Sequence, residues 1–233
     1  MARLVFLHHG SRPATVVLPV ASVENHGILP AGSDLLIAEC VCSRLDKDGV
    51  AVAPPVPYSV ALEHEALGYT VSVPPTVFIE YLVSVLGSML RHAGQLVLAV
   101  FHGGAVAASY MAARQVRRRT GKRVLLYSFW DAIAARLEEH GVPRYPIHAD
   151  AIEASILAAC GHSGPWLRES SREEVLEEAR RRARELQELP TPWLGEDAPL
   201  QLYPMESVPA SRELGEELLS AALEELKRLL GEE

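Results

Sequence analysis

Cysteine, lysine and aromatic residues are scarce in this chain of 233 residues, and each shortage excludes something. Cys40, Cys42 and Cys160 are odd in number and lack paired zinc-finger spacing, which excludes a small disulfide scaffold and a structural zinc module. Cys40 and Cys42 lie two apart on an expected helix and are expected as buried thiols. Three lysines stand beside 19 arginines, and the net charge of −8 argues against nucleic acid as a partner. The one basic run, Arg114 to Arg123, closes an expected helix, where cations complement the dipole. Long apolar runs are absent too. Gln95 to Ala113 is uncharged but is interrupted by His102, Gly103 and Gly104, so no membrane span is expected. After Arg3 only Leu4 to Leu7 are apolar, too short a run for a signal-peptide core, and the cytoplasm is the expected compartment. Nothing rich in Pro, Gly or Ser divides the chain, so residues 1–233 are expected to form a single domain, with 48% hydrophobic content to fill its core.

What is present is an alternation of short apolar runs with amphipathic segments. Strands are expected at 14–20, 50–56, 95–101 and 123–129, and helices at 34–46, 75–92, 105–119, 149–160, 171–189 and 211–230. Strands alternating with helices imply an α/β fold of three layers, α/β/α, with a mostly parallel central sheet. On the helix at 171–189, acids from Glu173 to Glu178 precede Arg180, Arg181, Arg182 and Arg184 by about one turn, and this polar face is expected in solvent.

The first strand runs into Glu24-Asn-His26, followed by Asp34 at the start of the next helix. Glu24 and His26 are two apart and project to one side of an extended segment, where both can face one ion. A helix N-terminus supports the charge of Asp34. Two carboxylates and an imidazole suit Zn, Mn or Fe(II) better than Ca. His102 follows the third strand beside Gly103 and Gly104, and His148 and Glu153 open another helix. All of them fall where ligands gather in α/β sheets, beyond the carboxyl ends of strands. The remaining histidines fit blander roles: His8 and His9 in solvent, and His92, His140 and His162 at helix ends. Trp130, Trp166 and Trp193 are expected mainly as packing groups, able to stack on a flat heterocycle only if one reaches the pocket.

In order along the chain, Leu18 to Asp34, Pro54 to Thr70, Val100 to Ala105, His148 to Ser155 and Ala210 to Gly215 resemble the blocks of the creatininase (creatinine amidohydrolase) family. The resemblance implies a creatininase-like α/β/α fold and hydrolysis of an amide-type C–N bond in a small molecule, a cyclic amide or a formamide. It implies Glu24, His26, Asp34, His102 and Glu153 as ligands of two divalent ions (Zn, Mn or Fe), Asp34 as their bridge, and His148 as an acid/base or substrate residue. It also places Tyr58, Ser59, His64, Gly103 and Gly104 at the substrate and implies a homo-oligomer, a hexamer. The copy departs from the family pattern. One residue and a histidine are missing around Gly27 to Pro30, the asparagines around His102 are replaced by Val100 and Phe101 on one side and Ala105 on the other, and Gly104 and Ile147 stand where creatininase itself carries acids. Creatinine is therefore not the expected substrate, and the alternative is a catalytically impaired metal- or ligand-binding subunit of a structural oligomer.

Overall fold

The computed structural model describes residues 2–8, 10–187 and 206–231. Five strands form a parallel sheet among them, β1 (Ala2–Arg3), β2 (Thr15–Val20), β3 (Val50–Val52), β4 (Gln95–Val100) and β5 (Val124–Ser128), in the order β1-β3-β2-β4-β5. Seven α-helices accompany them: α1 (Ser33–Ser43), α2 (Pro75–Met89), α3 (Val106–Thr120), α4 (Phe129–Glu139), α5 (Ala151–Ala159), α6 (Arg172–Gln187) and α7 (Arg212–Leu229). A second, two-stranded parallel sheet pairs β6 (Leu167–Glu169) with β7 (Val208–Ala210).

The run of apolar residues in β2 and β4 is what a strand covered on both faces requires. Val16, Leu18 and Val20, with Leu96, Leu98 and Val100, pack under α2 and α3. Val17 and Ala21, with Val97, Ala99 and Phe101, pack under α1, α4, α5, α6 and α7. The result is three layers, as the alternation implies. Pro19 is tolerated in this interior strand because its carbonyl accepts from Val56 N (2.9 Å) on the side where β3 has ended at Val52, so the missing N–H interrupts no ladder.

Several expectations change. Helix α4 is not expected from the pattern, and its first residue, Phe129, falls at the end of the expected strand 123–129. Gly121 (φ 69) ends α3 behind Arg117, Arg118 and Arg119, as the basic run implies. Gln187 ends the described part of α6, so the last two residues of the expected helix lie outside the described residues, as do His9 and Trp193. Arg182 is only 4% exposed rather than solvated; its Nη2 donates to the carbonyl of His148 (3.3 Å), facing inward from α6. Cys40 is not a free thiol: it is bonded to Cys160, 120 residues away, with Cα atoms 5.8 Å apart. Sequence spacing could not show that pairing, since it depends on the packing of α1 against the end of α5. Cys42 is a buried thiol as expected, and burial pushes its pKa up to about 12.

The Ala210-Ser211-x3-Gly215 block is a packing device. Ser211 caps α7, its hydroxyl accepting from Leu214 N (3.4 Å), while its own N–H donates to Ser155 Oγ (2.9 Å). A Cβ at position 215 would sit 2.0 Å from the Ser155 carbonyl oxygen, so only glycine lets α7 approach α5 this closely. Gly215→Ala is expected to force the two helices apart and to lower stability by about 1–3 kcal/mol. Denaturant unfolding of the variant measures it, and an unchanged midpoint would show that the helices separate freely.

Candidate metal centre

Loops and helix starts at one end of the sheet bring the ligand candidates together. β2 delivers the turn 21–32, closed by Glu24 N donating to the Ala31 carbonyl (2.9 Å) and by Leu29 N donating to that of His26 (3.0 Å), with Gly27 at φ 59 allowing the reversal. Asp34 sits in the first turn of α1, His102 directly after β4, and Glu153 in the first turn of α5 behind the N-cap Asp150. Helix dipoles thus support two of the three carboxylates.

Glu24, His26, Asp34, His102, His148 and Glu153 are all buried. His102 Nδ1 lies 3.2 Å from Glu24 Oε1 and 3.1 Å from Asp34 Oδ2. His26 Nε2 lies 3.1 Å from Glu153 Oε1 and 3.9 Å from Asp34 Oδ1. His148 Nδ1 lies 3.6 Å from Glu24 Oε1. Among the described residues, three sets have donor atoms mutually within 4.8 Å: Glu24 with Asp34 and His102; His26 with Asp34 and Glu153; and Glu24 with His26 and His148. Asp34 is shared by the first two. Four donor atoms, Glu24 Oε1 and Oε2, His26 Nε2 and Glu153 Oε1, are buried without a hydrogen-bond partner. Buried polar atoms are rarely left so, and a cation among them satisfies all four.

Each imidazole is fixed through its outer nitrogen by a backbone carbonyl. His26 Nδ1 pairs with the Glu24 carbonyl (3.0 Å), His102 Nε2 with that of Val60 (2.7 Å), and His148 Nε2 with that of Asn25 (2.8 Å). Such partners set the tautomer so that the inner nitrogen offers its lone pair. Ser22 Oγ donates to Asp34 Oδ2 (2.8 Å), and Ala149 N donates to Glu153 Oε2 (2.7 Å) from a backbone at φ 51. Asp150, whose pKa burial raises to about 6, accepts from Tyr145 Oη (2.6 Å) and feels the charge of Arg182. Asp150, Tyr145 and Arg182 escaped the sequence reading because nothing in their spacing marks an inward direction.

The charges are consistent with a cation site. Burial alone would depress the pKa of His26, yet the Glu153, Asp34 and Glu24 carboxylates outweigh it and raise the value from 6.5 to about 10. His102 is likewise raised against its burial, mainly by Glu24 and Asp34, and Glu24 is raised by burial. His148 and His64 are instead held neutral, first by burial and then by the charge on His26; the His64 value falls to about 4. Without a cation, the stability contributed by His26 is complete below about pH 6.5 and is lost as pH rises through about 10. A metal ion must displace the protons on His26 and His102. Its affinity is expected to be tighter at pH 8 than at pH 6, with protons released on loading. Calorimetry in two buffers of different ionisation heat reads that release, and affinity independent of pH would contradict it.

A cavity of about 250 Å³ opens onto this centre, lined by Glu24, Asp34, Glu63, His64, His102, Gly103, Gly104, Trp130, Pro146, Ile147 and His148. His64, Gly103 and Gly104 are among the residues lining it, and the His64 ring stacks on that of His148 (4.1 Å between centroids, 9° between planes). Tyr58 and Ser59 do not line it. Ser59 is fully buried with its hydroxyl committed to the Ala21 carbonyl (2.7 Å), and Tyr58 is half exposed outside the lining, so neither side chain is placed to meet a ligand there. Trp130 lines the cavity rather than serving only as packing, with Nε1 anchored on the Phe101 carbonyl (2.7 Å). Phe101 and Ala105 are buried in the two apolar clusters, which explains why apolar groups replace amides there.

The family model described as creatinine amidohydrolase matches residues 7–230. Similar solved structures include creatinine amidohydrolase (creatininase), at 16% identity and a TM-score of 0.66, covering 94% of this chain and 90% of that one. A glutamate-to-glutamine variant of creatininase in a Zn-Zn form matches at 17% identity and a TM-score of 0.65, and a manganese form at 17% and 0.64, both over 94% of this chain and 90% of theirs. No curated protein sequence matches the chain.

Proposed function

The chain belongs to the creatininase family, and from that membership we propose that it is a metal-dependent hydrolase of a non-peptide amide C–N bond in a small molecule. The observation that carries this reading is the pair of donor sets sharing Asp34, with four donor atoms buried without a hydrogen-bond partner. Glu24, Asp34 and His102 would hold one ion, and His26, Asp34 and Glu153 a second; creatininases similar in fold are described in Zn-Zn and Mn forms. Two such ions, when bound, supply a water acidified from a pKa of ~15.7 to about 7 and polarise the substrate carbonyl.

The chain's own residues do the rest. His148, neutral and anchored by Nε2 on Asn25, presents Nδ1 beside Glu24 and is placed to take up or return a proton there. His64, stacked flat on it, keeps that ring from turning. Trp130, Pro146 and Ile147 form an apolar wall that limits water and accepts a flat ligand. We assign the protein to the cytoplasm as a homo-oligomer, a hexamer, acting without nucleic acid or membrane; no helix among the described residues is long and apolar enough to cross a membrane. The Cys40–Cys160 bond fits a cytoplasm best in a heat-adapted cell, where such bonds are common.

The test is metal analysis of the purified protein followed by a hydrolysis screen of lactams and formamides with Zn, Mn or Fe(II) restored. Metal bound stoichiometrically with turnover of at least one amide is the expected result. Failure to retain any of the three metals rejects the hydrolase reading, and metal without turnover identifies an impaired, ligand-binding subunit.

A further inference from the structure

Glu63 lies outside all three donor sets, yet it lines the same cavity. It sits on the short 3₁₀ turn Leu62–His64, on the loop that follows β3. Its Oε2 is buried without a hydrogen-bond partner, a costly state for a carboxylate oxygen unless a ligand supplies the donor. Its Oε1 is one of three atoms crowded over Gly104: a Cβ there would stand 2.7 Å from that oxygen, 2.6 Å from His102 Nε2 and 2.7 Å from the Val60 carbonyl oxygen. The absence of a side chain at 104 therefore lets a carboxylate from a different loop enter the wall of the site. Around it the cavity offers an imidazole held neutral, at His64, and the apolar groups of Trp130, Pro146 and Ile147.

We propose that Glu63 is a substrate-recognition residue that accepts a hydrogen bond from an N–H of the substrate, so that the site selects amides and lactams bearing an N–H over esters, lactones and tertiary amides of the same shape. The inference rests on the cavity being the amide-binding site. A charged acceptor paired with a ligand N–H discriminates strongly, because the ligand lacking that donor leaves the buried oxygen unsatisfied.

The experiment measures binding, by saturation-transfer NMR titration, of two rings of equal size, 2-pyrrolidinone and γ-butyrolactone, to the metal-loaded protein and to Glu63→Ala and Glu63→Gln. The wild type is expected to prefer the lactam by ~10-fold or more, and Glu63→Ala to bring the ratio close to one. Metal content equal to wild type shows that the variant site is intact; if Glu63→Ala fails to fold or to hold metal, the isosteric Glu63→Gln gives the same comparison, with a reduced ratio expected. A wild-type ratio near one, an unchanged ratio in the variants, or no binding of either ring overturns the proposal. Turnover is not read, so a protein that binds but does not hydrolyse still answers, and loss of the hydrolase reading is told apart from loss of this one.

Discussion

Asp34→Ala is expected to abolish both metal binding and amide hydrolysis. Asp34 is the only donor common to the set with Glu24 and His102 and the set with His26 and Glu153, so its removal opens both at once. What remains of those two sets are pairs, Glu24 with His102 and His26 with Glu153, each with too few ligands for a Zn or Mn ion; the set of Glu24, His26 and His148 keeps its donors but loses the neighbouring carboxylate and can hold one ion at most. Loss of an outer partner such as the Ser22 hydroxyl costs ~10–100-fold in metal affinity or activity. Loss of the shared carboxylate should exceed the upper end of that range. Metal analysis after dialysis and single-turnover assays measure it, with Ser22→Ala as the milder comparison. Activity within tenfold of wild type in Asp34→Ala would place the site elsewhere.

Breaking the Cys40–Cys160 bond is expected to have the largest effect on stability. It closes a loop of 120 residues, and the chain-entropy account assigns about 4–5 kcal/mol to a loop of that length. For a chain of this size that corresponds to a fall in Tm of roughly 10–20 °C. The effect should reach the metal centre as well. α1 carries Asp34 in its first turn and Cys40 farther along; α5 carries Glu153 in its first turn and ends at Cys160. The bond therefore ties the two helices that deliver both carboxylates of the His26 set. Cys40→Ser, or the wild type under a thiol reductant, should melt earlier and bind metal more weakly, whereas Cys42→Ser should do neither through this route. An unchanged Tm on reduction would show that the bond does not form in solution.

Strands β2 to β5 and every helix but α4 were legible because hydrophobic period is a local property, whereas the short strands β1, β6 and β7 were not. Boundaries slipped where local signals conflict. Phe129, the first residue of α4, looked like the end of a strand because aromatic residues favour strands, and only packing of Ile133 and Leu137 on the sheet decides for helix. Glu24, His26, Asp34, His102 and Glu153 could be named as ligand candidates because acids and histidines cluster just past strand ends. Their grouping into two sets around Asp34 required the distances.

The groups that hold these ligands were invisible in the sequence for a physical reason. The carbonyls of Glu24, Val60 and Asn25 that fix the imidazoles belong to the backbone, so no residue type announces them. Glu63, Trp130, Arg182 and the Cys40–Cys160 pair depend on contacts between segments far apart in the chain, and side-chain direction at such contacts is set by tertiary packing alone. The opposite holds for Gly104 and Gly215: each stands in the sequence as a bare residue, and the structure shows which atoms occupy the space where a side chain would be, His102 Nε2, the Val60 carbonyl and a Glu63 carboxylate oxygen at the first and the Ser155 carbonyl at the second. The sequence thus determined the layers, the family and the donor residues, through local pattern and residue chemistry. Tertiary structure decided which donor candidates lie within reach of one another, which carboxylate lines the cavity and which cysteines join, because those depend on distances that no local pattern encodes.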